Sequence, residues 1–416
     1  MSKNELVLLK KGKSSFELIG NVKLNDFTFK LEQESQKSDW IYNSLNLGID
    51  CGVYGMIYGR MMSGYGSNRN NVVYVHGKKE VDGKERDNFE NRFTIAWEDR
   101  FDEDVLETVG SMNFINIGIE LDEKDEVVYK KFLTEYDAIN YLEENLVDGM
   151  RIKVKGNLSY REYEGKITIE KHINKIYIVT NDEVEDKASF VQSVLLDCDS
   201  IGKADKETRT VPLSVRIIEN IREYGGQKIQ RKVGNRIVKS VNIPIAKELQ
   251  FPVGDDIELA KKMLKAFKVK SKKTVTQMVV EGHFSRGEVT TVEVTIDDLD
   301  DDIKELIELG LLDEKDILGQ VVKANTGNAG YEMMIVDKPH IIFVGKGDKQ
   351  MPQIDKVIDM YTLEDLNIDE ILKDCFVEEK KEEMPEVRMD TEAALKSALE
   401  DEDDEDEDED DWLKDL

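Results

Sequence analysis

The chain has 416 residues, enough for two or three domains at roughly 150 residues each, and 58 Lys and Arg against 88 Asp and Glu give it a net charge of −30. Hydrophobic residues at 40% can build real cores, while 35% charged residues leave heavily hydrated surfaces. No segment approaches the roughly 18 apolar residues of a spanning helix, Met1 to Gly12 lacks the apolar run of a signal peptide, and Cys51, Cys198 and Cys375 stand too far apart for a CxxC pair. Membrane spans, disulfide frameworks and thiolate zinc sites are therefore not expected, and a cytoplasmic protein is, in a host cell's cytoplasm if the chain is viral.

In chain order, the first half reads almost entirely as strands. Phe16–Phe29, Ile41–Ile49, Val53–Met61, Val72–Val75, Arg92–Trp97 and Asn113–Glu120 carry β-branched or aromatic residues between Gly, Asn and Asp breakers. A helix is predicted over Glu135–Leu146, with Tyr136, Ile139, Leu142 and Leu146 on one face and Asp148-Gly149 ending it. In Arg151–Lys155 apolar residues alternate with bases, so one face is core and the other a cationic row. A turn at Glu164-Gly165 leads into Lys166–Lys171, and Ile176–Val179 closes the unit.

The second half repeats part of this plan. A helix at Ile257–Phe267 precedes Val279–Ser285, a Gly turn and Val292–Ile296; Asp300–Leu309 reads as helix, and Val321, Tyr331–Val336 and Ile341–Val344 as further strands. Val154–Ser159 and Val280–Ser285 both read Val-x-Gly-x-(Leu/Phe)-Ser. Antiparallel strands, one helix and a final hairpin is the element order of an OB-fold. The predicted class is thus mainly β with a few helices, organised as two OB-fold-like barrels. The expected plan is an N-terminal arm (1–13), a first barrel (14–180), a polar linker (181–187), a second barrel with additions (188–345), a linker with short helices (346–399) and a disordered acidic tail (400–416).

The charge is unevenly placed. All twelve residues from Glu400 to Asp411 are acidic, and 377–416 holds 20 acids against 5 bases, so a tenth of the chain carries half of the excess. Such a block repels itself and is expected to be extended. At root-mean-square reach, a 40-residue tail spans roughly 35 Å, enough to fold back across a domain. Asp410 and Asp411 lead into Trp412, Leu413 and Leu416, apolar side chains with nothing local to pack on, which makes this tip a candidate partner-binding segment.

No catalytic site is legible. Gly12-Lys13-Ser14 mimics the end of a P-loop, but Val7 stands where the first glycine belongs. His76, His172, His283 and His340 are isolated from one another and from any Cys, and the tail acids lack the glycine turn of a calcium loop. The expectation is a protein without enzymatic activity, cofactor or metal.

Bases, by contrast, cluster. Between Lys203 and Lys273 there are 18 bases and 8 acids, and Lys261–Lys273 alone has seven lysines and no acid. Neutralised phosphates release counterions and supply most of the affinity for nucleic acid. The candidate contacts are Arg216, Arg222, Lys228, Arg231, Lys232 and Arg236 on a hairpin over Val215–Ile243 with a Tyr224-Gly225-Gly226 tip. Lys153, Lys155, Tyr160, Arg161, Tyr163 and Lys166 join them from the first half. A glycine-rich stretch supplies Tyr58, Arg60, Tyr65, Arg69 and Tyr74, since single strands are held by bases stacked on aromatic faces in a basic groove.

With its acidic run Glu400–Asp411 and the apolar tip Trp412, Leu413 and Leu416, the sequence resembles the single-stranded DNA-binding proteins of bacteria and bacteriophages. That resemblance implies an OB-fold body, sequence-independent binding of single-stranded DNA, with RNA as an alternative ligand, and a non-enzymatic role in DNA replication or recombination. It also implies a tail that competes with DNA and recruits replication and recombination proteins. The tip Asp-Trp-Leu-Lys-Asp-Leu departs from a run ending in proline and phenylalanine, and the chain is longer than the small bacterial form. The rival expectation is a viral structural or assembly protein whose acidic tail prevents premature association.

Overall fold

The computed structural model describes residues 8–163, 166–181, 183–205, 208–233, 236–254, 257–286, 332–345 and 350–376. The predicted elements Val292–Ile296, Asp300–Leu309 and Val321, and the tail with Asp410, Asp411, Trp412, Leu413 and Leu416, lie outside these residues. The described part is mainly β with a few short helices.

In the first half, β1 (Ser14–Lys23) turns Phe16, Leu18 and Val22 into the core and is followed by β2 (Phe29–Glu34), β3 (Trp40–Asp50) and β4 (Met56–Gly66). β5 (Val72–Val81) and β6 (Lys84–Ala96) form a two-stranded sheet of their own, joined to Val109 by an isolated bridge from Gly77, about a turn in which Asp82 and Gly83 both take positive φ, 54° and 70°. That is the geometry an Asp-Gly pair favours in a two-residue hairpin. After α1 (Glu103–Leu106), β7 (Ile115–Leu121) and β8 (Val127–Phe132) comes α2 (Glu135–Asn145). Thr134 caps it by accepting the Asp137 amide, and Tyr136, Ile139 and Leu142 are buried on it. β9 (Arg151–Tyr163) and β10 (Lys166–Ile178) end this half.

The pairings close on themselves. β1 pairs β3, β3 pairs β4, β4 meets β10 in parallel at Arg60↔His172, β10 pairs β9, and β9 returns to β1. The second half has β11 (Lys187–Leu196), β12 (Thr210–Ile221), two short hairpins β13–β14 (Glu223–Tyr224, Gln227–Lys228) and β15–β16 (Arg231–Val233, Arg236–Val238), then β17 (Val241–Pro252), α3 (Ile257–Phe267), β18 (Thr274–Ser285) and β19 (Met333–Pro339). Its circuit is the same: β11 with β12, β12 with β17, β17 parallel to β19 at Gln250↔Ile335, β19 with β18, β18 back to β11. A hairpin β20–β21 (Ile341–Val344, Met351–Ile354), an edge strand β22 (Lys356–Thr362) and α4 (Ile368–Leu372) follow.

The shared sequence pattern falls on β9 and β18, each following its half's helix. Phe16 of β1 stands opposite Gly156, and Phe190 of β11 opposite Gly282. A Cβ on Gly156 would lie 1.9 Å from the His172 carbonyl oxygen and 2.7 Å from the Phe16 ring; one on Gly282 would lie 2.0 Å from the Ile335 oxygen and 2.5 Å from Phe190. Glycine is thus required twice, where a neighbouring backbone and a phenylalanine close over the same strand position. The halves also join directly, since Ser14–Ile19 of β1 pairs antiparallel with Lys187–Gln192 of β11. Buried Lys171 of β10 reinforces the junction with an ion pair to Glu332 and by sitting 4.5 Å over the Phe284 ring; burial pulls its pKa down, against the pull of Glu332.

Overpacking of this kind typically costs about 1–3 kcal/mol, more where backbone blocks the new atom. Gly156→Ala and Gly282→Ala should each lower the urea midpoint by at least this equivalent, while Gly149→Ala, at an open turn, should cost only the strain of its positive φ.

Candidate nucleic-acid interface

Strand parity decides which candidate side chains reach solvent. Along β9, Ile152, Val154, Leu158 and Tyr160 face the core, and Lys153, Lys155, Asn157, Ser159 and Arg161 face outward. Tyr160 is only 2% exposed, and its hydroxyl donates to Gln192 Oε1 at 3.0 Å. Burial, and then the nearby Glu219 carboxylate, raises its pKa. The expectation that Tyr160 stacks on bases is therefore corrected: it lies on the core face of its strand, and its ring is a packing element.

The glycine-rich stretch does not present one aromatic row either. Tyr58 and Tyr65 stand seven residues apart on β4 and so point to opposite faces. Tyr58 is half-buried, with the Arg286 guanidinium 5.1 Å from its ring; Tyr65 packs on Trp97 and Tyr136 at 5.6 Å each. Tyr74, 82% exposed on β5, belongs to the separate hairpin and borders another cleft, with Trp97, Phe114 and His172.

Several candidate cations are already neutralised within the chain. Arg60 pairs with Glu170 at 2.6 Å, Arg69 with Asp39 at 3.4 Å and Arg216 with Asp197 at 2.6 Å. Lys155 and Lys187 share Glu17 at 2.6 and 2.7 Å. Lys153 lies on the outer face beside Lys155, and Arg231 is half-buried on β15. The backbones of Tyr163 and Lys166 pair at the end of the β9–β10 ladder, and Lys232 and Arg236 belong to β15–β16. The side chains of these four residues lie outside the described set.

Arg161, Arg222 and Tyr224 do come together. They line a cleft of about 720 Å³ between the end of β9 and the β12–β13 segment, together with Glu223, Gly225, Gly226, Ile243 and Ile245. Gly225 and Gly226 both take positive φ, 58° and 78°, in the tight turn that Tyr224 and Gln227 flank. The expected single long hairpin is in fact the β12–β17 ladder, which ends at Ile221↔Val241, topped by two small hairpins; buried Ile229 pins the first of them by donating its amide to the Arg222 carbonyl. Arg161, Arg222 and Lys228 are exposed and make no ion pair with a described residue.

One residue of the cleft was not anticipated. Glu219, 4% exposed, takes the Lys11 ammonium at 2.5 Å and the amides of Tyr160 and Asn220 at 3.2 and 3.0 Å. It continues the inward series Val211, Leu213, Val215 and Ile217, and an acid on the core face of a strand was the available signal.

Among the described residues no group of His, Cys, Asp or Glu could hold a metal ion, and no helix is long and apolar enough to cross a membrane. A family model described as YorF matches residues 108–300, just under half of the chain. No curated protein matches at a significant level. Solved structures similar to this chain include the wild-type single-stranded DNA-binding protein of Thermus aquaticus, 11% identical, covering 67% of this chain and 88% of that one with a TM-score of 0.29. A deletion mutant of the same protein is 10% identical and covers 67% and 89%, with a TM-score of 0.28.

Glu17 offers a test of how firmly the β1 surface is tied. Burial opposes its ionisation, but Lys155 and Lys187 outweigh burial and hold its pKa at about 2, against an ordinary 4.5. A depressed carboxylate pKa contributes stability that is complete above the ordinary value and is lost as pH falls through the folded one. Urea unfolding should show this loss between pH 4.5 and about 2, and Glu17→Gln should flatten it; an unchanged profile in the variant would contradict the assignment.

Proposed function

We propose that the chain is a non-enzymatic single-stranded DNA-binding protein of the phage type, acting in DNA replication or recombination, and that its two strand circuits are OB-type barrels. The observation that carries the binding reading is the cleft where Arg161 and Arg222, neither in an ion pair with a described residue, converge beside Tyr224 at the junction of the two halves. Two guanidinium groups can each take a phosphate, Tyr224 offers a ring for one base, and Gly225-Gly226 lets a strand approach the backbone. Phosphate contacts and stacking on one ring are sequence-tolerant, so binding is expected to be indifferent to sequence, and a single RNA strand would compete. In this reading the acidic residues 400–411 act as an internal competitor for the same cations, and Trp412, Leu413 and Leu416 engage replication or recombination proteins when DNA displaces the tail.

Fluorescence anisotropy with labelled oligo-dT provides the test. Binding should weaken steeply with salt, with a slope reduced by roughly 0.7 for each phosphate contact removed in Arg161→Ala or Arg222→Ala. Tyr224→Ala should cost about 1–3 kcal/mol with the salt slope unchanged. Deleting residues 400–416 should strengthen binding. Absence of binding by that truncated protein at about 50 mM salt would overturn the reading.

A further inference from the structure

The lysine run from Lys261 to Lys273 lies outside the cleft. Lys261, Lys262 and Lys265 project from α3, whose other side packs through Met263, Leu264 and Phe267; the Phe267 ring meets Phe251 of β17 at 5.9 Å. The chain then leaves the helix, with Val269 buried between exposed Lys268 and Lys270, and bends at exposed Lys272 and Lys273 before β18. The segment is held in place at both ends. Lys356 donates to the Ala266 carbonyl at 2.8 Å, and Leu363 donates its amide to the Lys273 carbonyl at 3.0 Å. All seven lysines are exposed, and only Lys261 makes an ion pair with a described residue, Glu258 at 2.8 Å. Of the neighbouring acids, Asp359 accepts from the Thr274 hydroxyl and Asp365 from the Thr362 hydroxyl and amide.

Cleft and lysine run sit towards opposite ends of the β12–β17 ladder. The ladder runs from Thr210↔Pro252 to Ile221↔Val241, with the cleft at Glu219–Ile221, Ile243 and Ile245, and α3 beyond Pro252. Seven strand steps from Ile245 to Pro252 correspond to roughly 24 Å. The run carries no aromatic ring exposed beside its lysines, and ammonium groups are point charges without the planar fork of arginine.

We propose that Lys262, Lys265, Lys268, Lys270 and Lys272 form a second nucleic-acid contact that binds the phosphate backbone alone, without regard to bases, and extends the path of a strand held in the cleft. This proposal rests on the reading of the chain as a nucleic-acid binder, but on different residues and a different part of the ligand.

Two probes separate the surfaces: an oligo-dT of about 6 nucleotides, short enough for one stacking site, and the same oligomer extended to about 30 nucleotides by abasic backbone. For the full chain at about 50 mM salt, the abasic extension should raise affinity at least about tenfold and steepen the salt dependence. Replacing the five lysines together with Gln should abolish that gain while leaving the short oligomer's affinity unchanged, and replacing them with Arg should preserve it. No gain from the extension, a gain that survives in the Gln variant, or equal weakening of both probes would overturn the proposal. Failure of the short oligomer to bind the wild-type chain, with the abasic strand still bound through the lysines, would instead sink the cleft reading alone.

Discussion

The architecture depends on the edge that β1 and β11 share. Each strand gives one full edge to its own circuit, β1 to β9 and β11 to β18, and divides the other. The first part of that second edge pairs across the junction, Ser14–Ile19 with Gln192–Lys187, and the last part returns home, to β3 at Asn21–Lys23 and to β12 at Leu195. Gly20 marks the change in β1, because a Cβ there would stand 2.1 Å from the Asp50 carbonyl oxygen. Both circuits are therefore closed by the strands that couple them, and the positions of Tyr160, Gln192 and Glu219 follow from this crossing.

The polar groups at the crossing are shared between strands. Gln192, 1% exposed, accepts from the Tyr160 and Ser14 hydroxyls and donates to the Ser193 carbonyl, which links β9, β1 and β11 through one side chain. Glu219 then connects β12 to Lys11 and to the Tyr160 amide. Buried polar groups in such a network fix a unique arrangement, since any slip of register would strand a donor or acceptor away from water. The cleft opens beside this network, and Tyr160 and Glu219 belong to both.

Much of this was legible in the sequence where a local rule governs. The helices at Glu135 and Ile257 follow from their spacing, and the alternation in Arg151–Lys155 gave the correct faces. The same alternation, carried five residues further, would have put Tyr160 inside. The β5–β6 hairpin extends well beyond Val72–Val75 and Arg92–Trp97 because charged residues mask the strand pattern of both, although Asp82-Gly83 announces its turn. Ion pairing was not legible, because the acids that neutralise Arg60, Arg69 and Arg216 come from strands and loops brought near only by folding. A count of bases along the chain therefore overstates the cationic surface, and the cleft emerges only when the end of β9 is set against the β12–β13 segment.

The antiparallel ladder between two equivalent strands has a further meaning. In a homodimer, a two-fold axis would bring the same strand of each copy together in this manner, residue i meeting j and j meeting i. Here Phe16 and Phe190, each closing over the glycine of its own half, face each other across that ladder in register. One polypeptide thus holds what two half-length copies would otherwise have to assemble, and a half cut free at the 181–187 segment would expose an unpaired edge suited to a second copy of itself.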